Sequence, residues 1–205
     1  MSGHPVIRAV IFDLGGVLID WNPRYIYREV FDSEEKMEWF LAQICNMAWN
    51  EQQDGGYPIA KAVEEKLAQF PEWEKEIRLY YDRWIEMLKD PVPGTLALFH
   101  QLKKRSDLRL YALTNWSAEL FPYALKKYHF LKEFDGIVVS GEEKMKKPDP
   151  EIFQLLLKRF RLDANDVVFI DDSLRNIHAA EELRIRSIHF KNPEELKKDL
   201  EEIGL

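Results

Sequence analysis

The chain has 205 residues, 46% of them hydrophobic and 32% charged, a balance that excludes a disordered chain, a collagen-like fibre and a chain too short to bury a core. With 29 basic against 36 acidic residues the formal charge is −7, so no net positive field draws it to nucleic acid or anionic lipid. Cys45 is the only cysteine, which excludes an internal disulfide and a multi-cysteine zinc site and suits a reducing cytoplasm.

Met1-Ser2-Gly3-His4 reads as unstructured. The run Ala9 to Phe12 then predicts a first strand. The apolar stretch from Val10 to Ile19 contains Asp13 and is followed by no small-residue cleavage site, so it does not read as a secretory segment. No run approaches the ~20 apolar residues of a membrane span. Residues 22 to 90 offer no convincing strand, but show helical spacing in Trp39, Phe40, Ile44 and Met47 and again in Ile77, Tyr80, Tyr81, Trp84, Ile85 and Leu88. These stripes predict a small helical bundle, with Pro71 dividing two of its helices and Asp90-Pro91-Val92-Pro93-Gly94 breaking the last one. Four further strands are predicted at Leu108 to Leu113, Gly136 to Val139, Val167 to Ile170 and Arg186 to Phe190, separated by helix-compatible stretches. Their weak period-2 alternation is that of strands covered on both faces, so the expected fold is α/β, a parallel sheet flanked by helices. The expected core is residues 1–20 and 91–205, with residues 21–90 inserted as an all-helical cap.

In a parallel sheet, ligands lie outside the carboxyl ends of the strands. The first strand is followed by Asp13, a candidate nucleophile or metal ligand, and by Gly15-Gly16, where backbone can approach a ligand. Neither G-x-G-x-x-G nor G-x-x-x-x-G-K-[ST] is present, which weighs against nucleotide-binding folds. The second ends in Thr114-Asn115, suited to phosphate oxygens or to plain turn chemistry. After the third, Pro148 and Pro150 restrict the backbone around Lys147, which either turns inward or belongs to a solvated lysine cluster. The fourth ends in Asp171-Asp172-Ser173, adjacent carboxylates that fit a cation or a helix N-cap. His4, His100, His129, His178 and His189 show no metal-ligand spacing.

Taken in order, Phe12-Asp13-Leu14-Gly15-Gly16-Val17-Leu18, Leu113-Thr114-Asn115, Lys147-Pro148-Asp149-Pro150-Glu151-Ile152-Phe153 and Phe169-Ile170-Asp171-Asp172-Ser173 with Asn176 and Ala180 resemble the haloacid dehalogenase superfamily of hydrolases. The branch resembled carries a helical cap after the first motif and a Rossmann-like core, and the likeness runs from about residue 6 to residue 190. It implies that Asp13 attacks phosphorus to form an aspartyl-phosphate. It also implies that Asp13, the Gly15 carbonyl and Asp172 hold Mg²⁺, with Asp171 beside them, while Thr114, Asn115 and Lys147 grip the phosphoryl oxygens. Phosphatases of the superfamily usually carry a second Asp two residues after the nucleophile as general acid/base, and this chain has Gly15 there. Losing such a group costs ~10²- to 10⁴-fold in rate unless it is replaced.

Three readings follow. One is a phosphatase of a small phosphorylated metabolite, such as a sugar 1-phosphate or an acyl phosphate, whose leaving group needs little protonation or whose cap supplies the acid; an α-D-glucose-1-phosphate phosphatase branch starts with the same Asp-Leu-Gly. Another is a metal-independent 2-haloacid dehalogenase using the same aspartate, although those enzymes carry Ser-Ser-Asn where this chain has Asp171-Asp172. The third is a weakly active sensing or scaffold protein. In the cap, Asp54 or Asp20 is expected to orient sugar hydroxyls or replace the missing acid, within a loop including Trp49, Asn50, Gln53, Gly55 and Gly56. Arg24 pairs with an anionic substrate end or with a surface carboxylate, and Trp116 stacks on a sugar or packs against the cap. The expected partner is the small phosphate ester alone, with no nucleic acid or membrane, bound by a monomer or homodimer.

Overall fold

The computed structural model describes residues 6–205, so the expectation for Met1 to His4 lies outside the described residues. Seven strands and eleven helices follow in the order β1 (Ala9–Phe12), β2 (Ile19–Trp21), α1 (Arg24–Val30), α2 (Glu34–Gln43), α3 (Met47–Asp54), α4 (Ile59–Gln69), α5 (Glu74–Asp82), β3 (Leu88–Pro91), α6 (Pro93–Lys103), β4 (Arg109–Thr114), α7 (Phe121–Lys127), β5 (Gly136–Val139), α8 (Ser140–Glu143), α9 (Pro150–Phe160), β6 (Val167–Asp171), α10 (Leu174–Glu182), β7 (Arg186–His189) and α11 (Pro193–Glu202). Five strands form one parallel sheet in the order β5-β4-β1-β6-β7. The chain order reverses on either side of β1, which makes its carboxyl end the crevice where such sheets bind ligands.

Both faces of the sheet are buried, which is why its strands read as continuous apolar runs. Val10, Phe12, Leu110, Ala112, Val168 and Ile170 face one core with α6, α11 and the inserted helices, while Ala9, Ile11, Tyr111, Leu113, Val167 and Phe169 face a second core with α9 and α10. Phe153 of α9 meets Phe169 edge to face, ring centroids 5.4 Å apart, a geometry worth ~0.5–1.5 kcal/mol beyond the area buried.

Five helices, α1 to α5, lie between β2 and β3, and Pro71 opens a short 3₁₀ turn (Pro71–Trp73) between α4 and α5. Ser33 caps α2 by accepting the Lys36 N–H, and Asn46 caps α3 by accepting that of Trp49. Phe40, Ile44, Ile77, Tyr80, Trp84 and Leu88 are buried, but Trp39, Met47 and Ile85 of the predicted stripes are 48%, 52% and 38% exposed. Helix α2 ends before Ile44 and the chain turns at Ile44 and Cys45, so Met47 starts a new helix and leaves the stripe. The segment expected to be a loop around Trp49 to Asp54 is this helix, α3.

The strand pair β2 and β3 was not expected, because Lys89-Asp90-Pro91 reads as a helix breaker. The two run antiparallel, pairing Ile19 with Pro91 and Trp21 with Leu88, and Pro91 is tolerated because the ribbon has only edges. Among the described residues no helix is long and apolar enough to cross a membrane.

Candidate active site

Strand β1 ends beside β6, so Asp13 and Asp171 leave adjoining strands together, tied by the Asp13 N–H donating to the Ile170 carbonyl at 2.8 Å. Lys147 reaches between them: its Nζ lies 2.8 Å from Asp13 Oδ1 and 2.6 Å from Asp171 Oδ2, and its side chain is 1% exposed. An ammonium survives such burial only when paired this closely. The backbone of Lys147 is held by Asn115, whose Oδ1 accepts the Lys147 N–H and whose Nδ2 donates to the Lys147 carbonyl, both at 2.9 Å.

Asp171 is fully engaged. Its Oδ1 accepts the Ser173 N–H at 2.8 Å and the Asn176 amide at 3.0 Å, while Oδ2 faces Lys147. Ser173 precedes α10 but its side chain makes no cap, so the bond to Asp171 takes that place. Asp172 points toward the glycine turn: a Cβ on Gly16 would sit 2.3 Å from its Oδ2, and Gly16 has φ +79°, so only glycine fits.

Asp13, Asp171 and Asp172 each offer a carboxylate oxygen within 4.8 Å of the others'. Burial raises the Asp13 pKa to about 7, against the pull of Lys147 and reinforced by Asp171 and Asp172. Burial and Asp171 also raise that of Asp172. Burial works against the Lys147 charge, but Asp13 and Asp171 outweigh it and hold its pKa above the ordinary lysine value. One ammonium cannot offset three ionised carboxylates, which is why two of them resist ionising, and an all-oxygen donor set of this kind fits a hard divalent cation that would supply the missing positive charge.

Above them stands α3. A cavity of about 510 Å³ lies between the strand ends and this helix, lined by Asp13, Gly15, Asn115, Lys147 and Asp172 below and by Trp21, Met47, Asn50, Glu51, Asp54 and Trp84 around and above. The C-terminal end of α3 is fastened to the sheet through buried Ser140, whose Oγ donates to the Asp54 carbonyl at 2.5 Å and accepts the Trp116 N–H at 2.8 Å. Glu51 reaches across to Lys146, 3.3 Å away, and to the guanidinium of Arg175. Asn50 Nδ2 donates to Asp54 Oδ2 at 2.8 Å. Burial, then Glu51, raises the Asp54 pKa to about 8; Lys146 and the Ser117 backbone oppose this and Asp13 adds to it.

The structure brings Asp13, Gly15, Asp54, Asn115, Trp116, Lys147 and Asp172 to this one cavity. Thr114, at the end of β4, is buried and is not part of the lining. Asn115 borders the cavity, and its side chain holds the Lys147 backbone through both its Oδ1 and its Nδ2. Arg24, expected to meet an anionic substrate end or a surface carboxylate, is outside the lining, and its Nη2 lies 2.6 Å from Glu38 Oε2. Asp20 also lies outside it and accepts the Tyr25 hydroxyl at 2.6 Å. Trp116 borders the cavity but is 5% exposed, its ring edge-on to Trp84 at 5.4 Å, so packing accounts for most of its surface. Sequence reasoning missed Ser140, Glu51, Lys146 and Arg175. Only Ser140 had a signal, as a polar residue directly after a strand.

A family profile, haloacid dehalogenase-like hydrolase, matches residues 7–184. The chain is 30% identical to a phosphorylated carbohydrates phosphatase of Thermotoga maritima over 89% of this chain and 84% of that one. It is 28% identical to a sesquiterpene phosphatase of Aspergillus oryzae over 89% of each. Among solved structures it is similar to a HAD family enzyme of Bacteroides thetaiotaomicron in complex with magnesium and inorganic phosphate, with TM-score 0.66 and 24% identity over 91% of this chain and 95% of that one. It is similar in fold to an L-2-haloacid dehalogenase of Xanthobacter autotrophicus, with TM-score 0.64 and 15% identity over 96% and 83%.

Proposed function

The chain belongs to the haloacid dehalogenase-like hydrolase family, and we propose that within it this protein is a Mg²⁺-dependent phosphatase of a small phosphorylated metabolite, working through an aspartyl-phosphate on Asp13. The observation that carries this reading is the convergence of Asp13, Asp171 and Asp172 at adjoining strand ends, opposed by the single cation Lys147. A carbon-attacking dehalogenase needs no such excess of negative charge. The phosphatase-named relatives point the same way, and their printed substrates differ, one a carbohydrate and one a sesquiterpene.

In this reading Asp13, Asp172 and the Gly15 carbonyl hold the ion, which neutralises charge on the phosphoryl group when bound. Asp171 orients Lys147 and Asn176 and has no oxygen to spare as a ligand. Lys147 anchors Asp13 Oδ1 and presents a buried positive charge beside the transferring group, where a low dielectric makes it count most. Asp13 Oδ2 then attacks phosphorus, and water later attacks the aspartyl-phosphate to return Asp13 and release phosphate. The cap positions the leaving group and keeps bulk water out. A cavity of about 510 Å³ bordered by the half-buried Trp21 suits a sugar phosphate, whose ring stacks on an aromatic face, and the setting we propose is the cytoplasm.

The test is hydrolysis of p-nitrophenyl phosphate and a panel of sugar phosphates, with Mg²⁺ and with chelator, beside 2-chloropropionate. Phosphate release that requires Mg²⁺ is expected. Halide release without metal, and no turnover of any ester, would replace this reading with dehalogenation.

A further inference from the structure

When a phosphate ester of an ordinary alcohol is cleaved, the alkoxide is a poor leaving group, and Gly15 supplies no acid to protonate it. A Cβ built on Gly15 meets nothing within 4 Å, so the place next to the nucleophile is open space. One further carboxyl group enters the same cavity from outside the Asp13, Asp171 and Asp172 cluster without being tied up in ion pairs. Glu51 is bound by Lys146 and Arg175, whereas Asp54 is bonded only to the neutral amide of Asn50 among side chains.

Resting on the phosphatase reading above, we propose that Asp54 is the general acid and base of the reaction, delivering from the cap the proton that the core lacks at Gly15. Its position is fixed on two sides: Asn50 holds Oδ2, and Ser140 ties its carbonyl to the carboxyl end of β5. In the first step Asp13 bonds to phosphorus, the bond from phosphorus to the leaving oxygen breaks, and that oxygen takes its electron pair and the Asp54 proton. In the second, the Asp54 carboxylate takes a proton from water as the water oxygen bonds to phosphorus. The bond from phosphorus to Asp13 then breaks, and Asp13 and protonated Asp54 are restored with no net change.

The surroundings keep this group protonated at neutral pH. Burial and the Glu51 charge on the same helix push its pKa up to about 8, with Lys146 and the Ser117 backbone opposing and Asp13 adding to the rise. Burial raises the pKa of Tyr80 and Tyr81 of α5, so both stay neutral and bring no charge to it. A carboxylic acid of this kind is matched to proton transfer near pH 7.

Three phenyl phosphates of equal bulk test the proposal by leaving group: p-nitrophenyl, phenyl and p-methoxyphenyl phosphate, in Mg²⁺. For Asp54→Asn, kcat/KM on the p-methoxyphenyl ester is expected to fall by ~100-fold or more, and on the p-nitrophenyl ester by at least ~10-fold less, because nitrophenolate leaves without a proton. Adding Gly15→Asp to that variant is expected to restore ~10-fold or more on the p-methoxyphenyl ester. A loss of equal size on all three esters, or no loss, overturns the proposal. Gly15→Asp in the otherwise unchanged chain approaches it from the other side. A gain of ~10-fold or more on the p-methoxyphenyl ester shows that no acid is in place, and overturns the proposal. If the unaltered chain hydrolyses none of the esters, the phosphatase reading falls and this proposal with it. If it hydrolyses them and the variants do not separate them, only the role of Asp54 falls.

Discussion

Asn115 closes a two-bond ring on the backbone of Lys147, accepting its N–H and donating to its carbonyl at 2.9 Å each. The residues are 32 apart in sequence, and the ring aims an ammonium from a loop at two carboxylates on the sheet. The effect of removing that ammonium follows directly. Lys147→Met leaves Asp13, Asp171 and Asp172 with no buried counter-charge, so a loss of ~3–5 kcal/mol in stability is expected, because an unpaired buried charge costs more than a pair gains. Turnover is expected to fall ~10²- to 10³-fold. Urea unfolding with and without Mg²⁺ measures the first, and part of the loss should return with the ion. A variant as stable as the parent in chelator would contradict the pairing.

Gly15 and Gly16 are adjacent, yet their tolerance differs. Gly16→Ala sets a methyl 2.3 Å from Asp172 Oδ2 at a left-handed φ of +79°, and should cost ~1–3 kcal/mol while displacing a proposed ion ligand. Gly15→Ala meets nothing within 4 Å and should change stability by less than ~1 kcal/mol. The rise in Tm on adding Mg²⁺ is the discriminating measurement, and it should shrink for Gly16→Ala. A shift equal to the parent's would show that Asp172 tolerates the displacement.

The pH dependence of stability carries a definite sign at Asp54. Its folded pKa of about 8 lies above the ordinary carboxylate value, so the folded chain holds a proton that the unfolded chain has lost. The stabilisation from this group is therefore complete in acid, declines as pH rises from about 4, and levels off above about 8. Asp54→Asn removes the dependence. Urea midpoints from pH 4 to 9 should show the variant gaining on the parent up to pH ~8 and then running parallel. A parent that gained on the variant over that range would reverse the assignment.

Glu51 spans the cap and core, meeting Lys146 and Arg175, and the Arg175 side chain is 51% exposed. Pairs with one exposed partner add ~0–1 kcal/mol at most, so Glu51→Gln should leave global stability within ~1 kcal/mol of the parent. It should instead speed amide exchange over residues 47–56, the helix and turn held down by these contacts. Unchanged exchange there would mean that Ser140 alone fastens α3.

Much of this architecture was legible in the residues themselves. The five sheet strands stand out because burial on both faces leaves them apolar throughout, and the polar residues at their ends marked Asp13, Lys147, Asp171 and Asp172. What stayed hidden depends on pairing across distance. Nothing in Glu51 points to Arg175, 124 positions on. The amide of Asn115 looks free for a ligand until the fold spends it on Lys147. Arg24 is a cation near the start of the cap, and only packing shows Glu38 within its reach. The β2 and β3 ribbon escaped because its pairing needs two short segments about 70 residues apart, one containing proline.

Strand β1 occupies the middle of the sheet, with β4 on one side and β6 on the other, and its Ala9 is matched with Arg109 and Val167. On a ribosome the strand that leads to Asp13 thus emerges about 150 residues ahead of its second neighbour. The inserted helices are complete well before then and can condense by local contacts, whereas the sheet waits for β6. Asp13 is made long before the strand beside which it is seated.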